Sequence, residues 1–178
     1  MLDEFRVLET VVNNLNKARI PYMISGSVAM NYYAQPRMTR DIDIVIELND
    51  AQRFYEFFKQ DFYIDLKTIK NSIITKGMFN LIHFKEIVKI DFIIRKDSEF
   101  RRTEFERRKK VRINKVEIFI VSIEDLILSK LIWAQNNHSE MQLKDVKNLF
   151  GEKVDLKYIR KWARSLRIDN LLKEVLNE

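Results

Sequence analysis

The chain has no cysteine among its 178 residues, and only two histidines, three glycines and two prolines. Without cysteine, disulfide scaffolding, thiolate nucleophiles and thiolate metal sites are excluded. Ser-His-Asp catalysis would have to use His83 or His138, each of which reads more simply as a surface or partly buried residue. Walker, Gly-x-Gly-x-x-Gly and His-Glu-x-x-His motifs are absent. No uninterrupted apolar run exceeds four residues, so no segment reads as a membrane span. Met1-Leu2-Asp3-Glu4-Phe5-Arg6 is acidic and then amphipathic, unlike the basic-then-apolar plan of a secretory signal. The expectation is a soluble cytoplasmic protein with no membrane partner, in which the Asn137-His138-Ser139 sequon is chance. A chain of this length buries roughly 70% of its unfolded surface, enough for a core without staples.

Charge is plentiful and uneven. The chain carries 32 Lys+Arg against 26 Asp+Glu, a formal charge of +6. From Arg95 to Lys115 there are ten basic and four acidic residues, so this one segment holds the whole excess. Such a run reads either as a solvated helix and edge strand or as a platform for a polyanion.

The apolar periodicity outlines a mixed α/β (α+β) chain: a mixed central sheet flanked by helices and a C-terminal helical segment. Leu2, Phe5, Leu8, Val11, Val12 and Leu15 predict an amphipathic helix over 2–18, ended by Pro21. Tyr22–Ser25 reads as a strand, Gly26-Ser27 as a break, and Val28–Ala34 as a short helix. Asp41–Leu48 alternates: Ile42, Ile44, Ile46 and Leu48 point one way, and Asp41, Asp43, Val45 and Glu47 the other. Asn49-Asp50 caps a helix carrying Phe54, Phe57 and Phe58, and Leu66–Ile74 reads as another. Phe79–Phe84 and Ile87–Ile94 form a hairpin whose second arm turns Val88, Ile90, Phe92 and Ile94 to one face and Lys89, Asp91, Ile93 and Arg95 to the other. A helical turn at Ser98–Phe105 precedes strands at Lys110–Ile113 and Val116–Val121. Ser122 and Asp125 open a helix to about Asn136, and three more helices, near 140–149, 155–165 and 168–176, close the chain. The organisation is a core over 1–121 and a helical segment over 122–178 packed on it as one unit. Trp133, Trp162 and the twelve Phe read as core.

The chemistry concentrates in three acids and one break. Residues two apart on a strand share a face about 6.5 Å apart, so Asp41 and Asp43 project side by side. Asp91 is the sole acid of its strand and also opposes an apolar face. If the two strands are neighbours, three carboxylates converge, a hard-oxygen set suited to Mg²⁺ or Mn²⁺ and, with phosphate oxygens, to a two-metal phosphoryl site. The Gly26-Ser27 break, a strand followed by a helix start, presents backbone N–H groups and a hydroxyl to phosphate oxygens. Haloacid-dehalogenase phosphatases and many glycosyltransferases place their acids after an apolar strand, whereas here Gln35-Pro36-Arg37-Met38-Thr39-Arg40 precedes them.

Gly26-Ser27, thirteen intervening residues, Asp41-Ile42-Asp43 and a later strand bearing Asp91 resemble the signature of the polymerase-beta-like nucleotidyltransferase superfamily. Gly26-Ser27-Val28-Ala29-Met30, Arg37 to Asp43, Ser122 to Leu126 leading into Lys130, and Lys144-Asp145 are similar to the AbiEii-like toxin-type nucleotidyltransferases and their small relatives. Gln142 and Asn148 stand where that family often has an Arg and a second Asp. The resemblance implies transfer of a nucleoside monophosphate from a nucleoside triphosphate (NTP) to an acceptor hydroxyl of RNA or tRNA, protein or a small molecule. It also implies a possible toxin–antitoxin partnership. Asp41, Asp43 and Asp91 would be the catalytic and metal-holding residues, with two Mg²⁺ or Mn²⁺ ions. Gly26, Ser27, Arg37, Thr39, Lys130 and Asp145 would bind the nucleotide. The basic segment should emerge near one rim of the site and bind a polyanionic acceptor through Arg101, Arg102, Arg107, Arg108, Lys109 and Lys110. The competing reading is a module of this fold that binds nucleotide, RNA or a partner protein without turnover.

Overall fold

A computed structural model describes residues 2–34, 41–113, 116–137 and 139–177. Arg37, Thr39 and His138 lie outside the described residues. The elements follow in the order α1 (Leu2–Lys17), β1 (Tyr22–Ile24), α2 (Gly26–Tyr33), β2 (Asp41–Ile46), α3 (Ala51–Phe58), β3 (Phe62–Tyr63), α4 (Leu66–Thr75), β4 (Met78–His83), β5 (Lys89–Ile94) and α5 (Glu99–Glu106). Then come β6 (Lys109–Ile113), β7 (Val116–Ile120), α6 (Ile123–Asn137), α7 (Glu140–Leu149), α8 (Leu156–Ser165) and α9 (Asp169–Leu176). Among the described residues the strands form one seven-stranded mixed sheet in the order β3-β4-β5-β2-β1-β7-β6. β2 runs parallel to β5 and antiparallel to β1, while β1 is parallel to β7.

The alternation read in the sequence decides which helices cover which face. Ile42, Ile44, Ile46, Phe79, Leu81, Ile90 and Phe92 turn to one side and share a core with Val11 and Leu15 of α1, Phe54 and Phe58 of α3 and Ile69 of α4. Phe54 stacks on Phe58 at 4.3 Å and meets Phe79 and Phe92 edge-on at 5.2 and 5.0 Å. Truncating such a residue costs about 3–5 kcal/mol. On the opposite side Met23, Val45 and Ile120 join α2, α5 and the helices α6 to α9 in a second core.

Asp50, Asp65, Ser98 and Asp155 each accept a first-turn N–H at the start of α3, α4, α5 and α8, which fixes four helix starts that the sequence signals. Two readings move. α2 begins at Gly26 itself, so the break belongs to the helix. Trp162 is buried, but Trp133, Phe84 and Phe5 stand at the surface with 56%, 58% and 37% exposure. On α6 the positions turned inward are Ile127, Leu128, Leu131 and Ala134, which leaves Trp133 on the outer side. No helix among the described residues is long and apolar enough to cross a membrane.

Candidate active site

The site lies where β1 ends and β2 begins. Ser25 N–H donates to the Asp43 carbonyl at 2.9 Å, pulling the end of β1 against the acid-bearing strand. The chain must then turn at once into α2, and Gly26 does so with φ +57°. A Cβ here would lie 1.8 Å from Asp43 Oδ2, so the position demands glycine on two counts, backbone conformation and close approach to the carboxylate. The Ser25 side chain makes no capping bond to the N-terminal N–H groups of α2. Ser27 is buried, and its hydroxyl donates to the Asp41 carbonyl at 3.4 Å, tying α2 to the start of β2.

Parallel pairing of β2 with β5 sets Asp43 directly beside Asp91 and Asp41 beside Lys89. In-register neighbours project to the same face about 4.8 Å apart, so Asp41, Asp43 and Asp91 share one face of the sheet. Lys89 Nζ bonds Asp91 Oδ2 at 2.7 Å, and the buried Asp91 Oδ1 has no hydrogen-bond partner. The Asp43 carboxyl is pushed above its ordinary range, first by burial and then by the charges of Asp91 and Asp41, against the pull of Lys130 and Lys89. Among the described residues no three His, Cys, Asp or Glu side chains close into a cation cage. The donor set nevertheless fits a hard divalent cation: carboxylates on adjacent strands that repel one another, with a buried oxygen lacking a partner. It is an open seat that needs further oxygen ligands, such as those of a phosphate.

Lys130 and Asp145 are brought to the same neighbourhood by the α6–α7 hairpin. Lys130 Nζ bonds Asp145 Oδ2 at 2.7 Å and Gln142 Oε1 at 3.0 Å. Both charged residues are buried, so this lysine does not snorkel to water, and its charge reaches Asp43. Gln142, standing where the resembling family often has an arginine, is an acceptor for Lys130.

The basic segment is placed differently from the sequence expectation. β5 leaves the carboxylates behind: Asp91 lies in its middle, whereas Arg95 follows its far end, where its N–H bonds the Ile46 carbonyl and its guanidinium bonds Glu47 at 2.6 Å. Four residue steps along the strand carry Arg95 about 13 Å from Asp91. Arg101 bonds the buried Glu104 at 2.8 Å and Ser129 at 2.7 Å. Burial pushes the Glu104 carboxyl up despite the charge of Arg101 and the hydrogen bond from Ser129. Arg107 bonds the fully buried Asp125 at 3.0 Å and lies 4.0 Å over the Tyr158 ring, while Ser122 and Tyr158 hydroxyls each donate to Asp125 at 2.6 Å. Arg108 covers the Phe105 and Phe119 rings, Arg102 bonds the Asp97 carbonyl, and Lys110 pairs with Glu117 at 2.7 Å. Arg101 and Arg107 thus join α5 to α6 and α8. Ser122 and Asp125, read as a helix start, are also the hub of that junction.

Sequence reasoning assigned no role to Lys89, Gln142 or the outward residues of β4. Lys89 was visible as the same-face neighbour of Asp91, but its place beside Asp41 of β2 depends on strand order, which no local pattern encodes.

The chain belongs to the family described as nucleotidyl transferase of unknown function (DUF2204), whose match runs over residues 4–170. Its fold is that of solved nucleotidyltransferase-like proteins. An antigenic nucleotidyltransferase-like protein from Paracoccidioides brasiliensis superposes with a TM-score of 0.68 at 18% identity, over 97% of this chain and 86% of its own. The antibiotic-resistance factor ANT(2'')-Ia gives 0.62 at 13% identity, over 99% and 100% of the two chains. The lincosamide antibiotic adenylyltransferase LnuA, in its lincomycin-bound form, gives 0.54 at 14% identity, over 84% and 95%. No curated protein matches the chain significantly in sequence.

Proposed function

We propose that the protein is a Mg²⁺- or Mn²⁺-dependent nucleotidyltransferase that moves a nucleoside monophosphate from an NTP to an acceptor hydroxyl. The observation that carries this reading is the in-register Asp43–Asp91 pair with Gly26 pressed against Asp43: side-by-side carboxylates repel, Lys89 and Lys130 offset only part of that, and a divalent cation held between them reverses the sign. Asp41, Asp43 and Asp91 hold the two ions, whose bound charge stabilises the phosphoryl oxygens and the leaving pyrophosphate. The N–H groups of Gly26 to Val28 and the Ser27 hydroxyl hold the triphosphate at the start of α2. Lys130, braced by Asp145 and Gln142, adds positive charge beside it, and Arg37 and Thr39 lie just before the acids in sequence. Asp91 takes or orients the acceptor proton as the acceptor oxygen bonds the α-phosphorus and the bond to the β-phosphate oxygen breaks. Arg102, Lys109 and Lys110, exposed in the basic segment, raise the potential felt by a polyanion.

We further read it as a cytoplasmic toxin-type enzyme of the AbiEii-like kind, which predicts growth arrest on induction that Asp43→Asn abolishes and a cognate antitoxin relieves. The Lys89–Asp91 ion pair favours one alternative, a module that binds nucleotide, RNA or a partner protein without turnover. The deciding experiment offers each of four α-labelled NTPs with Mg²⁺ to total RNA, lysate and the protein itself. Label in one acceptor pool, lost in Asp43→Asn, is the expected result. Undiminished transfer by Asp43→Asn refutes the site, and NTP binding with no transfer to any pool selects the module.

A further inference from the structure

Asp41, Asp43 and Asp91 share their face of the sheet with a cation. Register pairs Lys89 with Asp41 and Asp91 with Asp43, so the four residues stand at the corners of a two-by-two patch, about 4.8 Å apart across the strands and about 6.5 Å along them. Lys89 is not there to keep an edge soluble, because β5 lies inside the sheet between β4 and β2. Its Nζ lies 2.7 Å from Asp91 Oδ2, while Asp91 Oδ1 is buried without a hydrogen-bond partner. Oδ2 is therefore the oxygen of Asp91 left to meet a solute, and an ammonium holds it. The two ends of this pair differ in freedom. The Asp91 side chain is 10% exposed, whereas that of Lys89 is 40% exposed on a flexible four-carbon stem, so the ammonium can swing to another oxygen by side-chain rotation alone.

We propose that Lys89 is a placeholder for the divalent cation: it neutralises Asp91 until the ion arrives, then passes its ammonium to a phosphate oxygen of the triphosphate that comes with the ion. The inference rests on the nucleotidyltransferase reading and adds how that site is loaded. An ion arriving alone must break the Lys89–Asp91 pair and leave the ammonium beside a second positive charge, in a partly buried place where like charges repel strongly. An ion arriving on a triphosphate brings the anionic oxygens that receive the ammonium, so one charge-assisted bond is exchanged for another. Lys130 does not serve this exchange, since it is buried and held by Asp145 and Gln142. The site is thus built to take the metal–triphosphate complex in preference to the bare ion.

The test is isothermal titration calorimetry of Mn²⁺ alone, and of inorganic triphosphate presaturated with Mn²⁺, on the full chain and its variants. Inorganic triphosphate carries the phosphates without committing to a base. Lys89→Met should bind Mn²⁺ alone about tenfold more tightly, from the pair no longer broken and the repulsion removed, yet bind the Mn²⁺–triphosphate complex no more tightly than the natural chain does. Lys89→Gln, which keeps a hydrogen-bond donor for Asp91 without the charge, should behave in the same way, and Lys89→Arg should show no tightening for Mn²⁺ alone. Lys85→Met, the same loss of charge in the turn between β4 and β5, should leave both affinities within about twofold. Equal tightening of both ligands would show that Lys89 repels cations and meets no phosphate, and an unchanged Mn²⁺ affinity that it holds no cation's place; either result overturns the inference. Label transfer by the natural chain with no change of Mn²⁺ affinity in Lys89→Met discards the placeholder and keeps the enzyme. Tightened Mn²⁺ binding without label transfer to any pool keeps the placeholder and discards the enzyme. No Mn²⁺ bound by the natural chain or by either neutral variant overturns both and makes Lys89 a permanent counter-ion.

Discussion

Replacing Asp43 with asparagine should make the protein more stable and inactive at once. Two unit charges about 5 Å apart repel by about 3 kcal/mol at an effective dielectric of 20. Asp43 faces Asp91 in register and Asp41 two residues back on its own strand, and burial compounds the cost of its charge. Lys89 and Lys130 offset part of this, leaving a net gain of about 1–2 kcal/mol when the Asp43 charge is removed at nearly constant shape. For a chain of this size each kcal/mol moves Tm by about 2–4 °C, so Asp43→Asn should melt roughly 2–8 °C higher in metal-free buffer at neutral pH. Millimolar Mg²⁺ should close that gap by stabilising the natural chain more than the variant, because the ion binds the folded carboxylates. The assay is thermal denaturation of both proteins with and without Mg²⁺, alongside label transfer. A variant that melts lower without metal, or an equal Mg²⁺ shift in both proteins, would refute the argument that these acids repel across the strands and await a cation.

Gly26→Ala should cost about 1–2 kcal/mol from its left-handed backbone alone. By displacing Asp43 it should also lower transfer about a hundredfold, and full activity in a kinetic assay would remove Gly26 from the site. Lys130→Met removes the cation paired with the buried Asp145 and should cost about 3–5 kcal/mol by urea unfolding, with Lys130→Met/Asp145→Asn recovering much of it; an unchanged single variant would show that the pair is not buried as described. Glu104 has a folded pKa above the ordinary value of 4.5, so the native state holds its proton more tightly than the unfolded chain. Its contribution is therefore greatest below that ordinary value and is lost as pH rises through the raised folded one. Denaturation across mildly acidic pH should show this fall in the natural chain and a flatter profile in Glu104→Gln; identical profiles would contradict the raised pKa.

Period-2 alternation and glycine chemistry are local properties, and they made most of the site legible. Ile42, Ile44 and Ile46 had to face a core, so Asp41 and Asp43 had to face away from it. Only glycine could make the turn after β1, and Lys130 and Asp145 were singled out by resemblance before their ion pair was visible. Phe62–Tyr63 reads in the sequence as no more than a brief extended piece before the Leu66 helix, because two residues carry no periodicity; pairing with Ile82 and His83 is what makes it a strand.

What the sequence by itself determined is the set of elements and the face on which each acid lies, because backbone sterics and burial act over a few residues. Only the tertiary structure decided that β2 lies beside β5 in the register that joins Asp43 to Asp91. The pairing of β5 with β2 is likewise what ties Arg95, just past the end of β5, to Ile46 and Glu47. The fate of the basic segment was also tertiary: the carboxylates that bind Arg101 and Arg107 include Glu124 and Asp125, whose approach depends on how α6 docks on α5. Charge counted along a chain measures a long-range field, whereas the partner each charge finds is set by packing between elements distant in sequence.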